Sequence, residues 1–255
     1  MKRKILEVTG LNKHFGGLHA VKNFDFDLFE GDRSAIIGPN GAGKTTLFNL
    51  LTGYHRVDSG RIIFDKADIT NRPSHEIACA GISRAFQITN IFPNLTVYEN
   101  VRLASQALGG DNFKFWQTSS AFKEYDERTW EVLERVGLKD RTFALARTLP
   151  HGDQRKLELG IILAPDPEVL LLDEPTAGMA AEQVPELISL IQEIQQAGDK
   201  TVMLVEHNMN VVMSVSDLIT VMHQGRVLAE GTPSEIAANE EVQTAYLGGL
   251  YELNV

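Results

Sequence analysis

The sequence predicts an α/β fold with a mainly parallel β-sheet, an N-terminal antiparallel β portion and an inserted helical subdomain. Short, continuously apolar runs have the length of strands that are buried on both faces of a parallel sheet. Helical patterns follow several of these runs, and such alternation is typical of parallel sheets. Near the N-terminus, alternating apolar and polar residues indicate strands of a different kind, with one face in solvent.

The first quarter of the chain is predicted to contain three strands and a helix. Residues 5–8 form a short strand, and residues 24–28 form another because their apolar and polar side chains alternate. Arg33–Ile37 is an apolar strand that leads into a glycine-rich loop. After Lys44 the pattern becomes helical, with three leucines on one face.

The rest of the chain alternates between helices and buried strands. Residues 57–64 carry turn signals and a strand, and the region from residue 87 to about residue 164 is mainly helical. An aromatic patch at 108–116 fits no element, and the segment 105–127 around it has no assigned role. Further predicted elements are a strand at 169–172, an amphipathic helix at 183–196, strands at Thr201–Val205 and 217–222, and helix from Thr232 onwards.

These elements predict two parts of the chain. An α/β core comprises residues 1–86 and 166–255, including a helical C-terminal tail. A helical subdomain of residues 87–165 is inserted between strands of that core. The length of 255 residues and a hydrophobic content of 43% are sufficient for such a domain and its subdomain.

Composition narrows the classes of partner. The formal net charge is −10, which argues against nucleic acid as a partner because phosphate backbones are bound by clustered Lys and Arg. The single cysteine, Cys79, permits no internal disulfide. No stretch approaches the roughly 18 consecutive apolar residues of a membrane span. We therefore expect a cytosolic chain whose membrane role, if any, depends on partner subunits.

A phosphate-binding loop is the strongest motif. The segment GPNGAGKT at 38–45 matches G-x-x-x-x-G-K-[ST] and lies between a predicted strand and a predicted helix. Its glycines allow successive backbone N–H groups to point at phosphate oxygens, and Lys44 can reach the β- and γ-phosphates. The Thr45 hydroxyl can bind Mg²⁺. The predicted ATP-binding residues here are Gly38, Pro39, Asn40, Gly41, Ala42, Gly43, Lys44, Thr45 and Thr46.

Two carboxylates follow the apolar run at 169–172. Asp173 and Glu174 would lie at the carboxyl end of a buried strand, where α/β sheets bind ligands. Asp173 is predicted to hold Mg²⁺, and Glu174 is predicted to be the general base that polarises the attacking water. The alternative, a solvated acidic turn, is disfavoured by the phosphate loop upstream.

In combination, these motifs resemble those of the ABC ATPases, and the resemblance covers nearly the whole chain. It implies a P-loop NTPase core and three further site residues. Gln87, in RAFQ, matches the glutamine that senses Mg²⁺ and the γ-phosphate. His207, in VEH, matches the histidine that contacts the γ-phosphate, and Phe15 matches the aromatic residue that stacks on adenine. The order and spacing of these residues give them their specificity.

The signature segment departs from the pattern of that family, whose common form is LSGGQ. The corresponding segment here is LPHGDQ at 149–154, with Pro150 in place of a serine and His151 in place of a glycine. The aspartate that is usual near Ala180 is also missing. In ABC dimers the signature of one subunit covers the ATP of the other, so this resemblance leads us to expect an asymmetric heterodimer with one fast and one slow site.

Within the ABC ATPases, several stretches resemble the first ATPase subunit of branched-chain amino-acid importers. They are residues 11–21, 82–87, 91–100, 231–236 and 245–248, and the long segment from Ser105 to about Glu127 also fits. This resemblance implies a second ATPase subunit, two transmembrane permease subunits, an extracytoplasmic solute-binding protein and a peripheral location on the cytoplasmic face of the plasma membrane.

Other functions remain open at this level. The chain could serve urea or amide import or lipopolysaccharide export, or it could be a soluble ABC ATPase of translation or repair. A nucleotide-binding regulatory subunit would fit the altered signature, but the intact Lys44, Asp173, Glu174 and His207 argue against it. The aromatic residues Phe113, Phe115 and Trp116 fit either a local cluster or a surface for the membrane subunits.

Overall fold

Two β-sheets and a set of surrounding helices form the part of the chain that the computed structural model describes, which is residues 2–85, 91–107, 119–198 and 200–247. Gln87 and the aromatic patch at 108–116 lie outside the described residues. Within these ranges, no helix is both long enough and apolar enough to cross a bilayer.

An antiparallel sheet is built from the N-terminal quarter of the chain. Its strands are β1 (Lys4–Phe15), β2 (Leu18–Phe29), β4 (Ser59–Phe64) and β5 (Ala67–Asp68), in the order β2-β1-β4-β5. β1 and β2 are each longer than predicted. Register shifts along the β1–β2 pair interrupt the alternation of apolar and polar residues on which the predicted limits depended.

A second, six-stranded sheet has the order β10-β9-β3-β8-β7-β6. All its neighbouring strands are parallel except β9 and β10 at one edge. The predicted α/β fold with a mainly parallel sheet and an N-terminal antiparallel portion is therefore confirmed. The strands are β3 (Arg33–Ile37), β6 (Ile82–Ala85), β7 (Val169–Asp173), β8 (Thr201–Val205), β9 (Leu218–His223) and β10 (Arg226–Gly231).

Helices lie in the connections between strands and after the last strand, β10. They are α1 (Lys44–Leu51), α2 (Ser74–Ala80), α3 (Val97–Gln106), α4 (Ser119–Arg135), α5 (His151–Leu163), α6 (Val184–Gly198), α7 (Met209–Val215), α8 (Pro233–Ala237) and α9 (Glu240–Leu247), with 3₁₀ turns at Lys139–Arg141, Ala146–Thr148 and Ala181–Gln183.

The sequence did not predict α2, β6, α7 or β10. β6 and β10 are the two edge strands of the parallel sheet, so each pairs with one neighbour only. Neither is a continuous apolar run, since β6 contains Ser83 and Arg84 and β10 contains a charged residue near each end. α2 and α7 are seven residues each, which is too short for a clear helical period.

The parallel sheet is covered on both faces. In β7, Leu170 and Leu172 contribute to one hydrophobic cluster, while Val169 and Leu171 contribute to the other. The cluster containing Leu172 also includes side chains of α3, α4, α5, α6 and α7, and the other cluster includes α1 and the antiparallel sheet. Both faces of the central strands are therefore buried, which explains why these strands are continuous apolar runs.

Parallel pairing brings four strand ends to one edge of the sheet. β3, β6, β7 and β8 all run in the same direction. Residues directly after β3 form the glycine-rich loop, and residues after β7 and β8 include Glu174 and His207. The predicted site residues on these strands must therefore lie close together, as is general for ligand sites of α/β sheets.

Leu172 offers a test of how much the packing of the parallel sheet contributes to stability next to the site residues. Its side chain is completely buried and lies beside Asp173. We expect Leu172→Ala to lower the free energy of unfolding by about 2–5 kcal/mol, because it leaves a cavity in the sheet. Urea unfolding followed by circular dichroism measures this change. Leu103→Ala, at a 45% exposed position, is the matched control and should have little effect; equal losses in both variants would contradict the packing described.

Candidate active site

The glycine-rich loop connects β3 to α1 and leaves little room for side chains. Gly38, Gly41 and Gly43 have positive φ angles of 154°, 79° and 108°. A Cβ atom on Gly38 would lie 2.1 Å from the Met222 carbonyl oxygen, and one on Gly43 would lie 2.6 Å from that of Ala20. Glycine is therefore required at both positions, for conformation and for space. Gly43 is also the N-cap of α1, whose positive dipole end faces into the loop.

Lys44 lies inside this loop. Its side chain is buried and its Nζ donates hydrogen bonds to the carbonyl oxygens of Gly38, at 2.6 Å, and Pro39, at 3.1 Å. Burial lowers the pKa of the Lys44 ammonium, while the nearby carboxylates of Glu174 and Asp173 act in the opposite direction. An anion entering the loop would therefore meet a poorly solvated cation, which makes their attraction strong.

An open depression of about 470 Å³ faces the loop. It contains ten of the predicted site residues, from four separate parts of the chain. Gly38, Pro39 and Asp173 are not among its lining residues, and Asp173 is buried. The predicted residues that line the depression are Phe15, Asn40, Gly41, Ala42, Gly43, Lys44, Thr45, Thr46, Glu174 and His207.

Phe15 ends β1 at the rim of the depression and is 42% exposed. The His55 ring meets it edge-on, with ring centroids 5.3 Å apart, and the Lys13 ammonium lies 5.3 Å from its centroid. An exposed aromatic residue held in this way offers a surface on which a planar base can stack.

Asp173 is held by a buried ion pair. Its Oδ2 accepts a hydrogen bond of 2.6 Å from the Arg84 guanidinium, and the two side chains are 1% and 5% exposed. Arg84 also donates to Asn49 Oδ1 of α1 at 2.6 Å. The other oxygen, Asp173 Oδ1, is buried and accepts no hydrogen bond within the described ranges. A buried carboxylate oxygen of this kind is suited to a cation or to a water bound to one.

Glu174 and His207 face each other across the ends of β7 and β8. Glu174 Oε1 lies 2.9 Å from His207 Nε2. The Glu174 backbone has a positive φ of 50° and is fixed by a hydrogen bond from its N–H to the Val205 carbonyl, at 2.8 Å. A non-glycine residue in this conformation is strained, and such strain is typical of functional positions.

Glu206 precedes His207 in the sequence and is 3% exposed. Its Oε1 accepts hydrogen bonds from the Thr176 N–H, at 2.9 Å, and from the Thr176 hydroxyl, at 2.6 Å. Its Oε2 accepts from the backbone N–H of His207, at 3.1 Å. One buried carboxylate thus joins the loop after Glu174 to the loop that carries His207.

The segment that corresponds to the signature begins α5. Pro150 is the N-cap of this helix and makes no side-chain capping bond. Gly152 is buried, and a Cβ atom there would lie 3.2 Å from the side chain of Gln183. Arg155, one turn further along, donates to the Ala177 carbonyl at 3.1 Å. The start of α5 is therefore connected to the same loop that Glu206 holds.

These features fit MgATP. The loop with its inward-facing backbone and Lys44 fits a polyphosphate, and Phe15 fits the base. Thr45 and Asp173 Oδ1 fit Mg²⁺, which prefers oxygen ligands. Gln87, the third predicted magnesium residue, lies outside the described residues.

Two residues of this site were not predicted, Arg84 and Glu206. Arg84 lies three residues before Gln87 on an unpredicted edge strand, so nothing indicated that it reaches Asp173. Glu206 follows the apolar run of β8 directly, as Asp173 follows the run at 169–172. That position at a strand end was a signal that could have identified Glu206.

Comparison with known proteins agrees with this geometry. Residues 21–177 match the ABC transporter family, and residues 226–251 match the family described as branched-chain amino acid ATP-binding cassette transporter. The chain is 41% identical over 253 residues to the high-affinity branched-chain amino acid transport ATP-binding protein LivG of Salmonella typhimurium, covering 97% of this chain and 99% of the relative. It is 41% identical over 254 residues to BraF of Pseudomonas aeruginosa, with the same coverage.

Solved structures lead to the same family. A nucleotide-free ATP-binding cassette from an ABC transporter has a TM-score of 0.85 and 29% identity, over 96% of this chain and 100% of that one. The ADP conformation of the cassette MJ1267 has a TM-score of 0.84 and 29% identity, over 96% and 99%. The chain therefore belongs to the ATP-binding subunits of the ABC transporters. It is an ABC ATPase, an ATP-hydrolysing subunit.

The ion pair of Arg84 and Asp173 leads to a prediction. Arg84→Met leaves a buried carboxylate without its cation, so we expect the free energy of unfolding to fall by about 3–5 kcal/mol. We also expect the gain in nucleotide affinity on adding Mg²⁺ to shrink, because Asp173 is no longer held in place. Chemical unfolding and titration of a fluorescent ATP analogue with and without Mg²⁺ measure the two effects.

Arg61→Met is the control for this variant. Arg61 forms an exposed ion pair with Asp68, so its loss should change neither quantity beyond error. An Arg84→Met protein as stable as the wild type would contradict the buried pair.

Proposed function

We propose that this chain is the ATP-hydrolysing motor of a multi-subunit ABC importer for branched-chain or related amino acids. The observation that carries the proposal is the convergence of the phosphate loop, Glu174 and His207 on one depression. The choice of solute is supported by the relatives that are described as branched-chain amino acid transport proteins and by the C-terminal match at 226–251.

The proposed partners are a second ABC ATPase subunit, two transmembrane permease subunits and, indirectly, an extracytoplasmic solute-binding protein. We place the chain at the cytoplasmic face of the plasma membrane, as a peripheral subunit, and expect no nucleic-acid partner. The ATP-binding core is assigned to residues 1–86 and 166–255, and the helical subdomain with the signature segment to residues 87–165.

The chemistry follows from the side chains at the strand ends. Phe15 stacks on the adenine, and the loop 38–46 with Lys44 binds the phosphates. Glu174 accepts a hydrogen bond from the attacking water and aligns it with the γ-phosphate, and His207, 2.9 Å from Glu174, contacts the same phosphate. Bound Mg²⁺ neutralises developing charge on the phosphates, and Thr45, Asp173 and Gln87 are the residues that would hold it.

We further propose that the two ATP sites of the assembled transporter are unequal. Pro150 begins α5 without a hydroxyl group and without an N–H group to offer the partner's ATP. This defect affects the site that uses the phosphate loop of the partner subunit. The site that uses Lys44 and Glu174 of this chain would be the faster one.

One variant tests both the role of Glu174 and the proposal that the two ATP sites are unequal. In the assembled complex, Glu174→Gln should reduce ATP turnover by about 100-fold or more, because the amide cannot act as a base, while ATP still binds. Phosphate release and equilibrium nucleotide binding measure the two quantities. Glu182→Gln, on an exposed 3₁₀ turn nearby, is the control with the same chemical change. Survival of most of the turnover in Glu174→Gln would refute the asymmetry.

The solute can be tested in proteoliposomes. The chain is purified from solubilised membranes with the proteins that accompany it, and the complex is reconstituted with its solute-binding protein. We expect leucine, isoleucine or valine to stimulate ATP hydrolysis and to be taken up. Stimulation by urea or an amide alone would identify another importer, and recovery of the chain without membrane subunits would contradict the transporter function.

A further inference from the structure

We infer that Glu206 is a positioning residue that sets His207 against Glu174. The inference rests on the proposed roles of Glu174 and His207. It gives a role in the reaction to Glu206, a buried residue that does not contact ATP and that the sequence did not predict. It concerns how the end of β8 is joined to the end of β7.

The two catalytic candidates stand on separate loops. Glu174 directly follows β7, and His207 lies two residues after the end of β8. The strands pair in parallel as far as Asp173 and Val205, and the N–H of Glu174 still donates to Val205. Among the described residues, no strand pairing beyond that point fixes the distance between the loops.

Glu206 supplies the missing connection. Four donors converge on its carboxylate: the Thr176 N–H and hydroxyl, the His207 N–H, and the Asn208 N–H at 3.5 Å. Oε1 binds the loop after β7, through Thr176, and Oε2 binds the loop after β8. The Glu206 side chain therefore connects the two loops. At 3% exposure these bonds face little competition from water.

The loop after Glu174 is also held from the opposite side. Arg155 of α5 donates to the Ala177 carbonyl, one residue beyond Thr176. With both sides fixed, this loop is a firm support against which Glu206 can hold His207. The bridge therefore determines whether His207 lies within hydrogen-bond distance of Glu174.

A carboxylate is needed at this position for a simple reason. The four groups that bond to Glu206 are all donors, and only a carboxylate accepts with both of its ends. In Glu206→Gln the amide NH₂ must face either the Thr176 donors or the His207 N–H. One loop is then released, and a displacement of about 1 Å between reacting groups can reduce turnover by up to about 100-fold.

The test is a double-mutant cycle in the assembled complex, with single-turnover ATP hydrolysis as the readout. We expect Glu206→Gln to lower the rate constant by about tenfold or more in the His207 background and by less than about twofold when His207→Ala is also present. ATP affinity should stay within about twofold, because Glu206 does not touch the nucleotide. Glu186→Gln, whose side chain pairs with Lys156 at the surface, is the matched control.

Thr176 provides a second pair of variants in case Glu206→Gln does not fold. Thr176→Val removes only the 2.6 Å hydroxyl bond to Glu206, and Thr176→Ser retains it. We expect a lower rate constant for the valine variant and a normal one for the serine variant, with the difference absent when His207→Ala is present. The inference is overturned if the effects multiply with His207→Ala, or if Glu206→Gln and Thr176→Val both retain the full rate. Since Glu174→Gln is measured in the same assay, its retained activity would instead refute the roles proposed for Glu174 and for the faster site.

Discussion

The parallel pairing of β3, β8 and β7 is the constraint on which the site depends. It places the phosphate loop, His207 and Glu174 at one edge of a sheet that is buried on both faces. The apolar side chains of these strands take no part in the chemistry. Their packing fixes the strand ends, and the polar site residues follow those ends. Side chains that are far apart in the sequence thereby reach hydrogen-bond distance, as Glu174 and His207 do at 2.9 Å.

The buried Arg84–Asp173 ion pair and the buried Glu206 carboxylate fix the positions of residues that lie at or beyond the ends of the strands. Arg84 holds Asp173 from the edge strand β6 and reaches α1 at Asn49. Glu206 joins the loops after β7 and β8. Charges are costly to bury, so each persists only because its partners are numerous and well placed. The result, at this edge of the sheet, is a fixed arrangement of charged groups beside the glycine-rich loop.

The sequence predicted the central strands and the glycine-rich loop between β3 and α1 well, since both have local signals. Arg33–Ile37 and Thr201–Val205 were predicted with the observed limits because a strand buried on both faces is continuously apolar. The edge strand β6 was missed because Ser83 and Arg84 interrupt its apolar character. Arg84 was missed as a site residue because its partner Asp173 is distant in the sequence, and only pairing of the strands brings the two together. Glu206 was missed although it follows an apolar run, because its bonds to Thr176 span 30 residues of sequence.

The most direct test of this account is an electron cryomicroscopy structure of the assembled complex with Glu174→Gln and MgATP. The account predicts ATP on the loop 38–46 of this chain, with its base on Phe15, its γ-phosphate between Lys44 and His207, and Asp173 Oδ1 directed at the metal. Glu206 should still join Thr176 to His207. ATP absent from this loop and bound only at the partner's phosphate loop would contradict the account.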